Sequence, residues 1–515
     1  MNIYFILCDE LRADVLGYMG NSIVKTPNID ELAKDSVVFT NSYCNTPMCV
    51  PSRVSIATGR YALSHGAMDN MLRPRKEEKS IFQILKDKGY YTINHGKWHG
   101  NINPLEFGFY ESADHVNETS FPERYVSCFG VTDKNTRKKC SYQRNKGNIS
   151  LILYGNRPSK KDETLDSLVT DEYMKNIEEL YKKDVPFFAR LSIMDPHTPY
   201  FPSEPYASMY DPKILPLPDS WREDLSDKPV LHRYFRASRG FEELEEADYR
   251  KSMSAYYGLV SHVDERIGKA VDKIKKLGDY DDSLIIFTAD HGSMMGEHGF
   301  IEKWGHMYEP VMRTPLIIKF PKNQYAGKYL DSFVESIDIM PTILDILGIT
   351  IPNSVQGKSL LPYIKEETKQ HKREIYAQYY CGSLQNKPAL MVRDQKWKYT
   401  YYPEGNCIET RLLNDDPLKM SGFFDKDDVY GELYDLEADP EERSNLFVNP
   451  KYKKVVEEYQ RKIDKHIESL GEIVNTDTTP DNNDLGIYIL TQGENMRAVS
   501  EFLKGEAKLK YLKTE

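Results

Sequence analysis

The sequence predicts an α/β protein. A large, mainly parallel sheet sandwiched by helices is expected over residues 1–375, and a smaller C-terminal α+β domain with an antiparallel sheet over 376–515. Three observations carry this expectation. Short apolar runs of strand length alternate with helix-like stretches through the first part of the chain. Four of those runs end abruptly in polar or charged residues. Near residue 375 the pattern changes to aromatic, alternating segments divided by turn signals, as in antiparallel sheets.

Taken in order, "IYFILCDE" ends in Asp9 and Glu10, and "YYTINHGKWHG" ends in Gly96, Lys97 and His99. "FFARLSIMDPHTPY" ends in Asp195 and His197, and "SLIIFTADHGSMMGEHG" in Asp290 and His291. Between them lie helical patterns such as "TPNIDELAKDSV", "SIFQILKDKG" and "DYRKSMSAYYGLVSHVDERIGKAVDKIKKLG". Alternating strand and helix implies parallel strands covered on both faces. Ligands of such sheets bind outside the carboxyl ends of the strands. Four strands delivering polar groups to that edge point to a site there. Beyond 375, "IYAQYY", "PALMVRDQKWKYTYYP" and "GELYDLEADPEERSNL" read as antiparallel strands. Residues 451–470 read as a helix, and the last 45 residues are polar, then Lys-rich and helical in pattern.

Bulk properties narrow the function. With 515 residues the chain can bury a large core, and no biased tract marks it as fibrous or disordered. The 68 basic and 79 acidic residues leave a formal charge of -11, which argues against general nucleic-acid binding and against adhesion to anionic membranes. No run approaches the ~18 apolar residues of a membrane span. The opening "MNIYFILCDELRAD" has neither the basic start nor the long apolar stretch of a signal peptide, so a cytoplasmic protein is expected, with a trimmed secreted protein as the alternative. The seven cysteines (8, 44, 49, 128, 140, 381 and 407) are odd in number and form no CxxC pair. Neither a disulfide framework nor a zinc finger is expected.

The most unusual stretch is "CNTPMCVPSRVSIATGR", residues 44–60. Pro51 suits a first helical turn, Ser52 can cap, and Gly59 suits a helix stop. Cys49 then sits at a helix N-terminus, where backbone N–H groups favour anions, and Arg53 follows one turn on. The phosphatase loop with Arg six positions after Cys does not fit, because Ser55 stands there. A Cys–His hydrolase would leave the strand-end aspartates without a role. By residue type alone, an inert buried thiol is the commoner outcome.

Asp9, Glu10, Asp290 and His291 supply oxygen ligands and one imidazole at two strand ends, which suits a hard divalent cation, Ca²⁺ or Mg²⁺. A lone Asp-His pair more often makes a surface hydrogen bond, and two such pairs ending two strands weigh against that. Lys97, His99, His197, Lys303 and Arg53 would offset the charge of a tetrahedral oxyanion. Taken singly, each lysine is more often a solvated surface residue.

At this point the sequence resembles a known family, the type I (formylglycine-dependent) sulfatases of the alkaline phosphatase superfamily. "CVPSRVSIATGR" resembles the family signature Cys-x-Pro-Ser-Arg followed by Thr-Gly-Arg. "GKWHG", "DPHTPY", "FTADHGSMMGEHG" and "KWGHMYEPVMRTPLI" resemble its other blocks in the family order, and the resemblance covers about residues 2–447. It implies that Cys49 is oxidised to formylglycine by a maturation enzyme that reads Pro51 and Arg53. The hydrated aldehyde then attacks sulfur with one hydroxyl and expels sulfate by collapse with the other. The resemblance implies Asp9, Glu10, Asp290, His291 and modified Cys49 as metal ligands, with Ca²⁺ expected and Mg²⁺ or Mn²⁺ as alternatives. Arg53, Lys97 and His99 would orient and activate the hydrate, and His197 and Lys303 would bind sulfate oxygens and protonate the leaving alcohol.

Two positions depart from the family pattern. Glu10 stands where Asp or Gln is usual, and His291 stands where many sulfatases have Asn. His at the latter position resembles a subset that includes phosphonate monoester hydrolases, so phosphonate monoester or phosphodiester hydrolysis is the alternative activity. An anion-binding protein without turnover is the remote one. Residues 131–161 hold nine Lys or Arg and one acidic residue, either a solvated loop or a basic rim for a sulfated glycan. Segments 101–170 and 200–245 are the expected pocket walls. The tail beyond 470 is expected to cover the pocket mouth or to make subunit contacts in a homo-oligomer.

Overall fold

The computed structural model describes residues 1–113, 141–143, 150–152, 154–157, 159–239, 241–303, 305–380, 388–402, 431–471 and residue 473. The expected tail assignment beyond 473, and most of the basic stretch 131–161, lie outside the described residues.

The central sheet has eight strands: β1 (Ile3–Cys8), β2 (Val37–Phe39), β3 (Tyr91–Gly96), β4 (Glu111–Ala113), β5 (Phe187–Ile193), β6 (Leu284–Ala289), β7 (Leu316–Lys319) and β8 (Lys328–Leu330). Their order across the sheet is β8-β2-β7-β6-β1-β5-β3-β4. Strands β6, β1, β5, β3 and β4 are parallel, and β7 runs against both its neighbours. The mainly parallel sheet expected from the sequence is therefore present. Strand β1 is buried along its whole length, as an interior parallel strand should be. Successive side chains point to opposite faces. Tyr4, Ile6 and Cys8 enter one core, and Ile3, Phe5 and Leu7 enter the other.

Helices cover both faces. They include α1 (Pro27–Lys34), α2 (Cys49–Thr58), α3 (Ile81–Asp87), α4 (Leu165–Lys182), α5 (Glu246–Leu277) and α6 (Ile339–Ile346), while α7 (Lys453–Ser469) lies on the C-terminal sheet. Helices α1, α4 and α5 pack into the first core, through residues such as Ile29, Tyr173 and Ile267. Helices α2, α3 and α6 pack into the second, through Val54, Phe82 and Ile343. The 32-residue α5 ends at Gly278, whose φ of 77° places it in the left-handed region that stops helices.

Four antiparallel strands, β9 (Glu374–Tyr379), β10 (Ala389–Asp394), β11 (Trp397–Tyr401) and β12 (Gly431–Asp435), pair in sequence order. Helix α7 closes one face through Tyr459 and Ile463, which meet Val392, Tyr399 and Leu433. Among the described residues no helix is long and apolar enough to cross a membrane.

Candidate active site

Strand register brings the chemistry to one level. Cys8 pairs with Ala289 on one side and with Ile193 on the other, and Gly96 pairs with Ser192. The residues that follow, Asp9, Asp290, Met194 and Lys97, therefore leave the sheet together. Asp9 N–H still donates to the Ile193 carbonyl (3.1 Å), Asp290 N–H to Cys8 (3.1 Å) and Lys97 N–H to Ser192 (3.2 Å). Gly96 takes a φ of 84°, and a Cβ there would lie 2.1 Å from the Ser192 carbonyl oxygen. Only glycine allows this exit from β3.

Helix α2 starts earlier than its Pro-Ser pattern suggests. Cys49 is its first residue, and Met48 caps it in extended conformation without a side-chain bond. Ser52 is thus inside the first turn, and its hydroxyl donates to the Asp290 carbonyl (2.6 Å). The Val50 N–H donates to Asn70 Oδ1 (3.0 Å). Gly59 ends the helix with a φ of 65°.

Arg53 organises the two aspartates. Its Nε donates to Asp290 Oδ2 and one terminal nitrogen to Asp9 Oδ2, both at 2.8 Å, and the other nitrogen reaches the Lys97 carbonyl (2.7 Å) and Ser192 Oγ (2.9 Å). Each carboxylate gives Oδ2 to Arg53 and turns Oδ1 inward. Asp9 Oδ1 lies 3.7 Å from Cys49 Sγ and 3.9 Å from His291 Nε2. Asp290 Oδ1 lies 3.6 Å from His291 Nε2, and Cys49 Sγ lies 3.3 Å from it. Ligand atoms of Asp9, Cys49, Asp290 and His291 fall within 4.8 Å of one another. His291 Nδ1 sits 2.9 Å from the Gly292 carbonyl, which can only accept, so Nδ1 carries a hydrogen and Nε2 faces the cluster, where it would give its lone pair to a bound cation. Two inward carboxylate oxygens and an oriented imidazole fit a divalent cation.

Cationic groups surround the same thiol. Lys97 Nζ lies 3.7 Å from Cys49 Sγ and pairs closely with Asp9. Lys303 Nζ lies 2.9 Å from Glu10 Oε2 and 3.0 Å from His197 Nε2. Burial pushes the His99 ring down and the neighbouring Cys49 opposes it, and its Nδ1 is buried with no hydrogen-bond partner among the described residues. Burial pushes the Cys49 thiol up, but Lys303, Lys97 and His291 outweigh it and hold it well below the usual thiol range. Burial and Cys49 push Asp9 up, and Lys97, His197 and Arg53 outweigh them, so the carboxylate stays ionised. Burial disfavours the charged form of Lys303, but Cys49, Glu10 and Asp9 keep it an ammonium. The field at residue 49 therefore favours an anion.

Every candidate named from the sequence meets here. Glu10 stands slightly apart, since its carboxylate groups with Asp9 and His197 and not with Cys49. Several positioning residues carry no local sequence signal. Asn70 and Ser192 are ordinary polar residues until folded. Asp166, in the first turn of α4, accepts the N–H groups of Met194 and Asp195 (2.8 Å each) and so fixes the loop that bears His197. Ser293 was within reach of sequence reasoning, because it lies three residues after Asp290 in the same block. Of the basic stretch, Arg157, Lys160 and Lys161 are described, and they face Asp195 (3.7 Å), Glu163 (4.0 Å) and Glu265 (2.7 Å).

Similarity to known proteins agrees with this geometry. The sequence profile described as Sulfatase matches residues 1–349, and that of the N-sulphoglucosamine sulphohydrolase C-terminal region matches 296–431. An arylsulfatase of Clostridium perfringens is 29% identical over 483 residues, covering 90% of this chain and 93% of its own. An N-acetylglucosamine-6-O-sulfatase of Bacteroides thetaiotaomicron is 24% identical over 513 residues, covering 90% and 86%. The crystal structure of a phosphonate monoester hydrolase of Agrobacterium radiobacter superposes with a TM-score of 0.71 at 23% identity, covering 91% and 96%. The profile match spans every strand that delivers a group to the Cys49 cluster, and the chain belongs to the sulfatase family, as a sulfuric ester hydrolase.

Proposed function

We propose that this enzyme hydrolyses a carbohydrate sulfate monoester with a formylglycine made from Cys49, assisted by one bound Ca²⁺. The observation that carries the reading is the placement of Cys49. It opens a helix, faces two inward carboxylate oxygens and an imidazole, and is flanked by Lys97 and Lys303. Sγ stands where the oxygens of a hydrated formylglycine would sit. Asp9, Asp290, His291 and residue 49 would hold the cation, which would bring a sulfate oxygen and the nucleophile together and offset their charge.

The chain's own residues account for the remaining steps. Lys97 and Lys303 bind sulfate oxygens and stabilise charge that develops at sulfur. One hydroxyl of the hydrate, ionised in the cationic field around residue 49 with its proton released to solvent, attacks sulfur, and the S–O bond to the alcohol breaks. The departing oxygen takes its proton from the Lys303–His197 pair. The second hydroxyl gives its proton to His99, whose ring burial keeps neutral, and the aldehyde re-forms as sulfate leaves. A carbohydrate substrate is supported by the sulfated sugar in the name of the Bacteroides relative.

His291 favours a second reading. A phosphonate monoester, like a sulfate monoester, carries a single negative charge, and the phosphonate hydrolase shares the fold. Rates on nitrophenyl sulfate, phenylphosphonate and phosphodiester substrates, with maturase-coexpressed protein, test the choice. Faster sulfate cleavage is expected. Faster phosphonate or diester cleavage overturns the substrate assignment and leaves the nucleophile standing.

A further inference from the structure

Glu10 follows Asp9 directly, in a position that implied a metal ligand, yet its carboxylate is engaged elsewhere. Oε1 lies 2.8 Å from Ser293 Oγ, and Oε2 accepts from Lys303 Nζ at 2.9 Å. Ser293 is fixed in turn by Ile301 O (2.9 Å) and the Tyr200 hydroxyl (3.2 Å). The backbone of Glu10 is equally constrained. Its N–H donates to Asp290 Oδ1 (3.1 Å), and its carbonyl accepts from the Tyr256 hydroxyl (2.8 Å). Its φ of 62° lies in the left-handed region, a cost that non-glycine residues bear where surrounding structure imposes it.

The hydrogen-bond arithmetic then fixes the neighbours. His197 Nδ1 lies 2.5 Å from the Thr198 carbonyl, so Nδ1 carries the ring hydrogen and Nε2 accepts. Lys303 is the donor at 3.0 Å to that Nε2, and the same ammonium is anchored on Glu10. A cation placed among Asp9, Glu10 and His197 would meet this ammonium, so the second acidic grouping is already satisfied by a lysine.

We propose that Glu10 is a positioning residue: its carboxylate anchors Lys303, and through Lys303 the acceptor face of His197, while contributing no ligand to the metal. This rests on the formylglycine and single-cation reading above. The glutamate length matters. Aspartate would fall short of both Ser293 and Lys303, and glutamine would keep the length but lose the charge.

The test combines metal binding with a double-mutant cycle. Full-length wild type, Glu10→Gln and Asp290→Asn are titrated with Ca²⁺ alone by calorimetry. Wild-type affinity and stoichiometry are expected for Glu10→Gln, with a loss of binding for Asp290→Asn. Weakening of Glu10→Gln to match Asp290→Asn overturns the proposal. In turnover, Glu10→Gln should lower kcat about 10²-fold with little change in KM. The loss should be larger for an alkyl sulfate than for nitrophenyl sulfate, whose leaving group needs less protonation. In a Lys303→Ala background the same change should cost no more than about 2-fold, because its target is gone. Multiplying effects overturn the proposal. Should Glu10→Gln fail to fold, Ser293→Ala enters the same cycle with the same non-additivity expected, and additivity there is equally fatal. The metal titration needs no turnover, so a wild type inactive on sulfate esters would overturn the functional reading without touching the assignment of Glu10.

Discussion

Arg53 Nε donates to Asp290 Oδ2 at 2.8 Å with neither side chain exposed to solvent. The same guanidinium holds Asp9 at 2.8 Å, so one cation bridges two buried carboxylates at the ends of β1 and β6. Lys97 also pairs with Asp9, so removing Arg53 strips Asp290 of its closest cation and weakens the hold on Asp9. Arg53→Ala should destabilise the fold by about 3–5 kcal/mol in urea melts. Arg53→Lys keeps the charge but cannot span both oxygens, and should recover only part of that loss. An unchanged midpoint for Arg53→Ala would show that the fork does not hold the site together.

Cys49 is buried at the helix start, and truncation there removes a sulfur without uncovering a partner that needs it for folding. Cys49→Ala should melt near the wild-type temperature and show no sulfate ester hydrolysis. Mass spectrometry of the wild-type peptide should show the lower mass of formylglycine after maturase coexpression. Substantial turnover by Cys49→Ala would remove residue 49 as the nucleophile.

Lys303 should report on transition-state charge. It is the first cation acting on the Cys49 thiol once burial is set aside, and it is buried beside Glu10. Lys303→Ala should lower kcat about 10²–10³-fold. A rate within a factor of two of wild type would place it outside the reaction.

The sequence made the sheet and the cluster legible for the same reason. Continuous apolar runs such as Ile3–Cys8 must be buried on both faces, and their polar endings must then share one edge. Residues that act through space were not legible. Asn70 and Asp166 meet the Cys49 and His197 segments across 20 and 29 residues, once the chain folds back on itself, so nothing near them in sequence marks them. Glu10 shows the limit from the other side. Its left-handed backbone brings the carboxylate to Lys303, a contact that its place beside Asp9 does not signal. Cys49 opens its helix, as the sequence suggests, but Pro51 and Ser52 lie inside the first turn, which they tolerate as well as its edge.

Gly96→Ala should damage stability and catalysis together. The left-handed φ costs an alanine about 1–2 kcal/mol, and the added methyl meets the Ser192 carbonyl of β5. Relief requires β3 to shift, which displaces Lys97 and the carbonyl that Arg53 holds. A melt lowered by more than about 2 kcal/mol is expected, with a loss of kcat. Wild-type stability would mean that the turn tolerates a side chain.

His232 links acid stability to the contact between the two sheets' layers. It is fully buried, with Nδ1 3.1 Å from the Tyr308 hydroxyl and Nε2 3.0 Å from that of Tyr402. Burial pushes its pKa from 6.5 down to about 4; Lys228 and His298 add to the shift, and Glu432 opposes it. The folded state thus holds a neutral ring that the unfolded chain protonates near pH 6.5. Stability from this group is fully present above that pH and is lost progressively as pH falls toward 4. The difference corresponds to about 3 kcal/mol. His65 and His466, both pushed by burial to about 3, act in the same direction. Denaturation midpoints should be flat near neutral pH and fall between pH 6.5 and 4. His232→Gln offers donors and acceptors to both tyrosines without titrating, so its midpoint should fall less steeply. A slope equal to that of wild type would assign the acid sensitivity to other groups.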